Sequence, residues 1–174
     1  QSNKPILAVG KVRFVGDPIA VVVAETLAQA KDAAEAVSLD IDPLPAVTRA
    51  AEAVKPGAPQ LYESVPNNMV LDYHYGDTAK VDEAFAGAAH TVRLDLDNTR
   101  VAVVAMEPRS GIGDYDRKRD FYTLHVPTQG VAGNRVLLAT LLKVKADQIR
   151  ILTGNVGGSF GMKAAVYPEY ICIL

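Results

Sequence analysis

The sequence predicts an α+β fold built from short strands and short helices, and three observations support this prediction. The 174 residues are 49% hydrophobic and 22% charged, which is typical of a globular protein with a sizeable core. Alanine-rich segments with helical periodicity alternate with β-branched runs of strand length. Clusters of glycine and proline separate these segments, so the individual elements are expected to be short.

The composition also bears on partners and location. The formal net charge is -2 and no basic patch is present, so we expect no nucleic-acid partner. Cys172 is the single cysteine, which leaves no internal disulfide and no thiolate group for an iron–sulfur cluster. Apolar runs such as Ile19–Ala24 are far shorter than the ~20 residues that span a bilayer, and QSNKPIL lacks a signal-peptide core. We therefore expect a cytoplasmic location and no membrane span.

The first part of the chain is predicted to alternate β-rich and helical segments. Two β-rich runs within residues 12–25 flank a turn at Gly16-Asp17-Pro18. Thr26 is placed to cap an alanine-rich helix over residues 27–37, because its hydroxyl can accept a free N–H group of the first turn. The further elements are a strand at 38–42 and a short helix at 49–54, capped by Thr48 and ended by Pro56-Gly57.

A stretch rich in proline and polar residues marks the candidate domain boundary. Such stretches typically connect compact units because few contacts cross them. We predict a first domain at residues 1–57, a linker at 58–68 and a second domain at 69–174.

The second domain is predicted to contain strands, two helices and a glycine-rich loop near its end. Asp77 or Thr78 would cap a helix over residues 79–88. The remaining elements are strands at 68–77 and 90–99, strands at 101–116 and 121–127 joined by a charged hairpin tip, a helix at 130–143 and a strand at 148–154.

The glycine-rich loop TGNVGGSFGMK, Thr153–Lys163, directly follows the last predicted strand. Its glycine spacing does not fit the dinucleotide template, and Lys163 lacks the neighbouring glycine and hydroxyl residue of a Walker loop. Two interpretations remain. Consecutive N–H groups of residues 157–161 could converge on an acceptor, with Phe160 as a wall against a planar ligand. Alternatively, the loop is a tight turn and Phe160 is packed in the core.

Motifs in several segments together resemble one enzyme family. The first segment is Val15–Val47, which begins with VGDPIAVVVAE and ends with PLPAV. The other three are MEPRSGIGDYD at Met106–Asp116, LHVPTQG at Leu124–Gly130 and VGGSFGMK at Val156–Lys163. In this order they resemble the large, molybdopterin-binding subunit of the xanthine dehydrogenase and aldehyde oxidase family, which includes aerobic carbon monoxide dehydrogenase large chains. The match in order over essentially the whole chain makes the resemblance far more specific than the loop alone.

The resemblance implies both the domain types and an incomplete chain. The first domain resembles the C-terminal part of the family's α/β hammerhead domain. The second resembles the N-terminal part of its molybdenum cofactor-binding domain. The family's catalytic glutamate lies far downstream of the glycine loop, so we expect no catalytic residue and no metal ligand within these 174 residues. We interpret the chain as a fragment of a catalytic subunit.

The resemblance also assigns residues to a cofactor site. In the family, a Gly-Gly-x-Phe-Gly segment binds the cofactor through its backbone, and its phenylalanine lines the substrate pocket. The matching positions are Gly157, Gly158, Ser159, Phe160 and Gly161. Gln129 matches a segment that starts a helix near the pterin. A second interpretation of this segment, compatible with the first, is that Thr128 caps the helix.

Other polar residues are given structural roles. Glu107 is expected to make a buried hydrogen bond or ion pair rather than to act as an acid or base. His74, His90 and His125 are too scattered in the sequence to suggest a metal site.

Two departures from the family pattern argue against a purine substrate. Purine-oxidising members carry a glutamine where this chain has Val101 and a glutamate where it has Ala164. The glutamine would bond an oxo ligand of the metal and the glutamate would hold the purine. Xanthine is therefore not the expected substrate.

By resemblance, the intact subunit hydroxylates an aldehyde, an N-heterocycle or a carbon monoxide-type substrate with oxygen from water. The implied cofactor is molybdenum–molybdopterin, expected in the cytosine dinucleotide form, and electrons pass to iron–sulfur and FAD partner subunits or domains. The isolated chain is expected to be inactive, to bind no cofactor and to self-associate through apolar faces left without partners. The alternative is a non-catalytic interaction or scaffold module, but such a module should have lost the glycine loop.

Overall fold

A computed structural model describes residues 5–174, so residues 1–4 of the predicted first domain lie outside the described chain. The described residues form two compact units, one of residues 40–100 and one of residues 5–39 together with 101–174. The elements are α1 (Leu27–Glu35), α2 (Ala50–Ala53), α3 (Thr78–Gly87), β1 (Ile112–Asp116), β2 (Phe121–His125), α4 (Val131–Leu142), β3 (Ile149–Leu152) and α5 (Pro168–Cys172), with 3₁₀ turns at Pro66–Asn68, Ala146–Gln148 and Met162–Ala164. This mixture confirms the α+β class.

Helix α1 begins at the predicted capping residue. The Thr26 hydroxyl accepts the N–H of Gln29 at 3.2 Å, and the Gln29 side chain accepts the N–H of Thr26 at 3.1 Å. These reciprocal bonds form a capping box, which satisfies two donors that a helix start otherwise leaves without partners. The prediction of a Thr26 cap is confirmed.

Two further predicted caps have different outcomes. Asp77 caps α3, since its carboxylate accepts the N–H of Lys80 at 3.2 Å. The prediction that Thr48 caps the short helix is wrong. Helix α2 begins at Ala50 after an extended Arg49 and has no side-chain cap, so Thr48 lies one residue too early to serve as one.

Thr26→Ala is expected to loosen the first turn of α1 by about 1 kcal/mol, because it removes the hydroxyl that accepts the Gln29 N–H. The free energy of local opening, from hydrogen exchange of the α1 amides, measures this loss. Thr48→Ala is the matched control and should leave the exchange of the α2 amides unchanged. Equal effects of the two substitutions would contradict the assignment of the caps.

Several predicted strands do not form among residues 5–174. No strand is present at 12–25, 38–42, 68–77 or 90–99, and only Ile112–Asp116 of the predicted strand at 101–116 is paired. A strand needs a neighbouring ladder, which β-rich composition cannot supply by itself. Val23 and Leu96 show this, because they are 88% and 82% exposed.

The strands that do form make one sheet in the order β1-β2-β3. Strands β1 and β2 are the predicted antiparallel hairpin, which closes at the pair Asp116 and Phe121. Residues 149–152 of β3 pair in parallel with residues 122–125 of β2. The parallel pairing requires a crossover, which α4 provides.

The core of this sheet lies between the strands and the helices α4 and α5. Its buried members are Leu124, Val126, Leu138, Ala139, Ile149, Ile151 and Tyr170. Leu124 on β2 and Leu138 on α4 are 1% and 0% exposed. Burial of each such side chain contributes roughly 1.5–3 kcal/mol. The core therefore fixes the ends of β2 and β3, from which the predicted site extends.

The predicted linker, residues 58–68, is held by its own hydrogen bonds within the unit of residues 40–100. The Asn68 amide donates to the carbonyls of Ala53 at 2.8 Å and Pro59 at 2.9 Å and accepts the N–H of Leu61 at 2.9 Å. The domain boundary at these residues remains a prediction. Across residues 5–174, no helix combines the length and the apolar character needed to cross a membrane.

Candidate functional site

The predicted cofactor segments meet where β2 and β3 end. Because these strands are parallel, their carboxyl ends lie at one edge of the sheet, the edge at which open α/β sheets bind ligands. The Val126 N–H donates to the Leu152 carbonyl at 3.0 Å, and the Thr128 N–H donates to Thr153 Oγ1 at 3.3 Å. The segment that contains Gln129 is thereby tied to the start of the glycine loop.

Gln129 and the glycine loop are also in direct side-chain contact. Ser159 Oγ donates to Gln129 Oε1 at 2.5 Å and accepts the N–H of Lys163 at 2.9 Å. The Gln129 N–H donates to the Lys163 carbonyl at 3.2 Å. Ser159 is buried, whereas Gln129 is exposed. The loop therefore orients the Gln129 side chain at the surface.

Thr128 connects the loop to helix α4. Its hydroxyl donates to the Lys163 carbonyl at 3.0 Å and accepts from the Asn134 amide at 2.7 Å and from the Gly130 N–H at 3.3 Å. The N-cap of α4 is Gly130, and no side chain caps this helix. The alternative in which Thr128 caps α4 is therefore wrong, because its hydroxyl is engaged by the loop and by Asn134.

The backbone of the glycine loop presents a run of donors. Within the described chain, the N–H groups of residues 158–161 donate to no protein acceptor. Gly158, Phe160 and Gly161 have φ values of +92°, +50° and +86°, the left-handed region in which successive N–H groups can converge. A Cβ at Gly161 would meet nothing within 4 Å, so the space beside it is open. The arrangement is suited to an acceptor-rich ligand.

Glu107 holds the start of this loop. Its Oε2 accepts the N–H of Gly157 at 2.8 Å and the Nζ of Lys163 at 2.6 Å. Its own N–H donates to the Gly157 carbonyl at 3.2 Å. An ideal Cβ on Gly157 would lie 2.6 Å from the Glu107 Cβ, so glycine is required by close approach. The predicted hydrogen bond and ion pair of Glu107 are present, but the prediction that they are buried is wrong for the carboxylate, because the Glu107 side chain is 36% exposed.

These contacts also set the charge of Glu107. The hydrogen bond from Lys163 is the largest cause and the Gly157 N–H the next, and together they lower the pKa of Glu107 below its usual value. Both bonds favour the ionised carboxylate. Because the folded-state pKa is lowered, the stabilisation is present above the ordinary glutamate pKa and is lost as the pH falls through the folded value. Glu107 is therefore a carboxylate at neutral pH.

Phe160 is exposed at the tip of the loop. Its side chain is 79% exposed, so the interpretation in which Phe160 is packed in the core is wrong for the described chain. Its φ of +50° is unfavourable for a bulky residue and costs on the order of 1–3 kcal/mol. Strained residues of this kind concentrate at functional sites, and here the strain directs an aromatic ring away from the core.

An open cleft of about 460 Å³ is lined in part by the first residues of the glycine-rich loop. Glu107, His125, Pro127, Thr153 and Asn155 are among the residues that line it, whereas Gln129 and residues 157–161 are not. Glu107, which lines the cleft, also bonds Gly157 immediately before the run of N–H donors, so the cleft and the donors are adjacent. Among residues 5–174, no three His, Cys, Asp or Glu side chains gather as a metal site would require.

Sequence reasoning missed the roles of Lys163 and Asn134. Lys163 entered as a residue that fails the Walker template and as the last residue of the VGGSFGMK motif, with no role assigned to it. Its side chain is 0% exposed and pairs with Glu107. The lysine follows Gly157 closely in sequence, but its partner is 56 residues away. A basic residue within a glycine-rich loop gives no local sign that it is buried.

Comparisons with known proteins define the class. Residues 61–174 match the model of the molybdopterin cofactor-binding domain. Residues 1–45 match that of the aldehyde oxidase and xanthine dehydrogenase a/b hammerhead domain. The chain therefore belongs to the aldehyde oxidase and xanthine dehydrogenase family of molybdopterin-binding subunits. This confirms the predicted family and the two predicted domain types.

Individual relatives cover the chain almost completely. The gamma subunit of the 6-hydroxypseudooxynicotine dehydrogenase complex of Paenarthrobacter nicotinovorans is 37% identical over 97% of this chain and 21% of its own length. The carbon monoxide dehydrogenase large chain of Hydrogenophaga pseudoflava is 30% identical over 97% of this chain and 22% of its own. The crystal structure of quinoline 2-oxidoreductase from Pseudomonas putida 86 matches with a TM-score of 0.82 and 32% identity, over 97% of this chain and 21% of that one. The chain thus spans about a fifth of the length of these relatives.

Proposed function

We propose that residues 157–161, together with Gln129, bind the molybdopterin of a molybdenum cofactor. The observation that carries this proposal is the run of N–H donors at residues 158–161 without protein acceptors in the described chain. A pterin dinucleotide offers ring nitrogens, carbonyl oxygen and phosphate oxygens, which are the acceptors that such a run of donors suits. The residues present therefore fit this cofactor.

Phe160 is proposed to form a wall of the substrate pocket. Its exposed ring follows directly on the donors of Gly158 and Ser159, so it can contact a planar substrate while the backbone holds the cofactor. An aromatic face gives a planar apolar molecule a large contact area. We place no catalytic residue and no metal ligand among residues 5–174.

The intact subunit is proposed to hydroxylate an aldehyde, an N-heterocycle or a carbon monoxide-type substrate with oxygen from water. The cofactor, expected in its cytosine dinucleotide form, supplies the oxidation chemistry when bound, and this chain orients and encloses it. Partner subunits or domains with iron–sulfur clusters and FAD are proposed to accept the electrons, in the cytoplasm. Quinoline, in the name of one structural relative, is an N-heterocycle, which supports that substrate class. Val101 and Ala164 argue against xanthine.

The 174 residues alone are proposed to be inactive, because the donor run is only one wall of a site. Their exposed apolar side chains, such as Val104 at 87% and Met106 at 98%, favour self-association. Stoichiometric molybdenum in the purified chain would contradict the proposal that these residues form only one wall of a site. A monodisperse monomer would contradict the proposed self-association.

Phe160→Gly in the intact subunit tests the proposed pocket. The wild-type subunit is first assayed with an aldehyde, an N-heterocycle and carbon monoxide to find which one it turns over. Turnover of that substrate should fall roughly ten- to hundredfold in the variant, because the pocket wall is lost. Molybdenum content should stay at the wild-type level, because the backbone donors remain. The thermal unfolding midpoint should not fall, since glycine adopts a φ of +50° without strain.

Phe85→Ala is the matched control, because Phe85 is also exposed, at 61%, but lies on α3 in the other compact unit. It should leave turnover unchanged. If Phe160→Gly keeps the wild-type turnover, Phe160 does not form a wall of the substrate pocket. If the wild-type intact subunit is found to contain neither molybdenum nor pterin, the proposed function is overturned. That result would favour the alternative, a non-catalytic interaction or scaffold module.

A further inference from the structure

Lys163 is a buried cation that the proposed binding role of the loop does not use. Its side chain is 0% exposed, and its ammonium bonds Glu107 Oε2 at 2.6 Å. Lys163 is the buried partner of this ion pair, and the Glu107 side chain is 36% exposed. Such a pair contributes little net stability, because the desolvation of the buried ammonium offsets much of the attraction. An apolar side chain of similar volume, such as methionine, would fill the same space without this penalty. The charge therefore needs a reason other than packing.

The contacts of Glu107 supply that reason. The oxygen that accepts from Lys163 also accepts from the Gly157 N–H, and the Glu107 backbone donates to the Gly157 carbonyl. Both peptide groups that flank Gly157 are thus fixed by one residue. The ammonium holds the carboxylate in the orientation that makes this possible, because it bonds the same oxygen atom. Gly157 immediately precedes the N–H donors of residues 158–161.

Lys163 also fixes the other end of the loop through its backbone. Its N–H donates to Ser159 Oγ at 2.9 Å, and its carbonyl accepts from Thr128 Oγ1 at 3.0 Å and from the Gln129 N–H at 3.2 Å. The loop is therefore closed by the ion pair at one end and by this backbone network at the other. The residues between the two ends, 158–161, are those that present free donors.

We propose that Lys163 is a positioning residue for the cofactor, which acts through Glu107 and does not touch the cofactor itself. Its charge and length fix the Gly157 peptides, and these set the direction of the donors at residues 158–161. The proposal rests on the proposed cofactor-binding function. It adds a specific requirement for a cation at position 163.

Lys163→Met in the intact subunit tests the proposal, since it removes the charge and keeps most of the volume. In cofactor-free protein, exchange of the hydrogen-bonded loop amides of Gly157, Met162 and residue 163 should accelerate about tenfold or more, while exchange in β2, β3 and α4 stays near the wild-type rate. In protein made with cofactor, molybdenum per chain should fall roughly tenfold, which is the usual loss when a residue that orients a ligand-binding group is replaced. Lys163→Arg, which keeps a cation, should restore a large part of both properties.

Lys118→Met is the matched control, because Lys118 is exposed at the tip of the β1–β2 hairpin. It should change neither readout. If Lys163→Met does not fold, Lys163→Gln is measured against the same expectations. Wild-type loop exchange and molybdenum content in the uncharged variant would overturn the proposal, as would failure of Lys163→Arg to restore either property. Absence of molybdenum from the wild type would instead overturn the proposed function, and the exchange result would still decide the role of Lys163 in the loop.

Discussion

Gly157→Ala is expected to weaken the glycine loop by roughly 1–3 kcal/mol and to remove most of the molybdenum from the intact subunit. The new Cβ would lie 2.6 Å from the Glu107 Cβ. The two backbones cannot separate freely, because the Glu107 N–H bonds the Gly157 carbonyl at 3.2 Å. The substitution therefore forces the loop away from Glu107 and breaks the bond from the Gly157 N–H to the carboxylate.

Hydrogen exchange of the amides of residues 157, 162 and 163, which are hydrogen-bonded in the wild type, and the molybdenum content together measure this effect. Gly154→Ala is the matched control, because Gly154 lies in the same loop and a Cβ there meets nothing within 4 Å. It should leave both properties at the wild-type level. Wild-type exchange and metal content in Gly157→Ala would show that close approach to Glu107 is not required.

Glu107→Leu is expected to destabilise the loop more than Lys163→Met. Loss of Glu107 leaves the Lys163 ammonium fully buried without its partner, and an uncompensated buried charge is destabilising by roughly 3–5 kcal/mol. Loss of Lys163 leaves a carboxylate whose side chain is 36% exposed and can be hydrated. The two partners of one ion pair should therefore differ clearly in the cost of their removal.

The free energy of local opening is measured from hydrogen exchange of the Met162 and residue-163 amides, which bond Ser159, in both variants and in the double variant Glu107→Leu with Lys163→Met. The double variant should be more stable than Glu107→Leu alone, since it carries no buried charge. Acid should reproduce the loss in the wild type, because the pKa of Glu107 is lowered and the stabilisation is lost as the pH falls from the ordinary glutamate value through the folded-state value. Equal costs for the two single variants would show that Lys163 is hydrated once it is unpaired.

Local signals in the sequence predicted helices α1 to α4 well, whereas the short helix α5 was not predicted. Helix α1 was expected at 27–37 and spans Leu27–Glu35, and α4 was expected at 130–143 and spans Val131–Leu142. Helical hydrogen bonds link residues close in sequence, so composition and capping residues are sufficient to place them. The charged hairpin was predictable for the same reason, because its strands are joined by a short turn.

The expected strands at 12–25, 38–42, 68–77 and 90–99 were wrong because strand formation is not local. Each strand depends on a partner that the sequence does not name, and β-branched residues favour a paired state without creating it. Among the described residues, these segments have no ladder. The prediction of strand β3 is confirmed, because the crossover through α4 places β3 beside its partner β2.

The sequence by itself determined helices α1 to α4 and the glycine loop, since each depends on residue types at short and fixed spacing. It also determined the family, through the resemblance of several segments in the same order along the chain. Only the tertiary structure decided that Phe160 is exposed, that Gln129 meets Ser159 and that Lys163 is buried against Glu107. These contacts join residues 30 and 56 positions apart. Such contacts exist because β2 and β3 end, and the antiparallel β1 begins, at one edge of the sheet. The pattern within any one loop does not reveal which partner it will meet there.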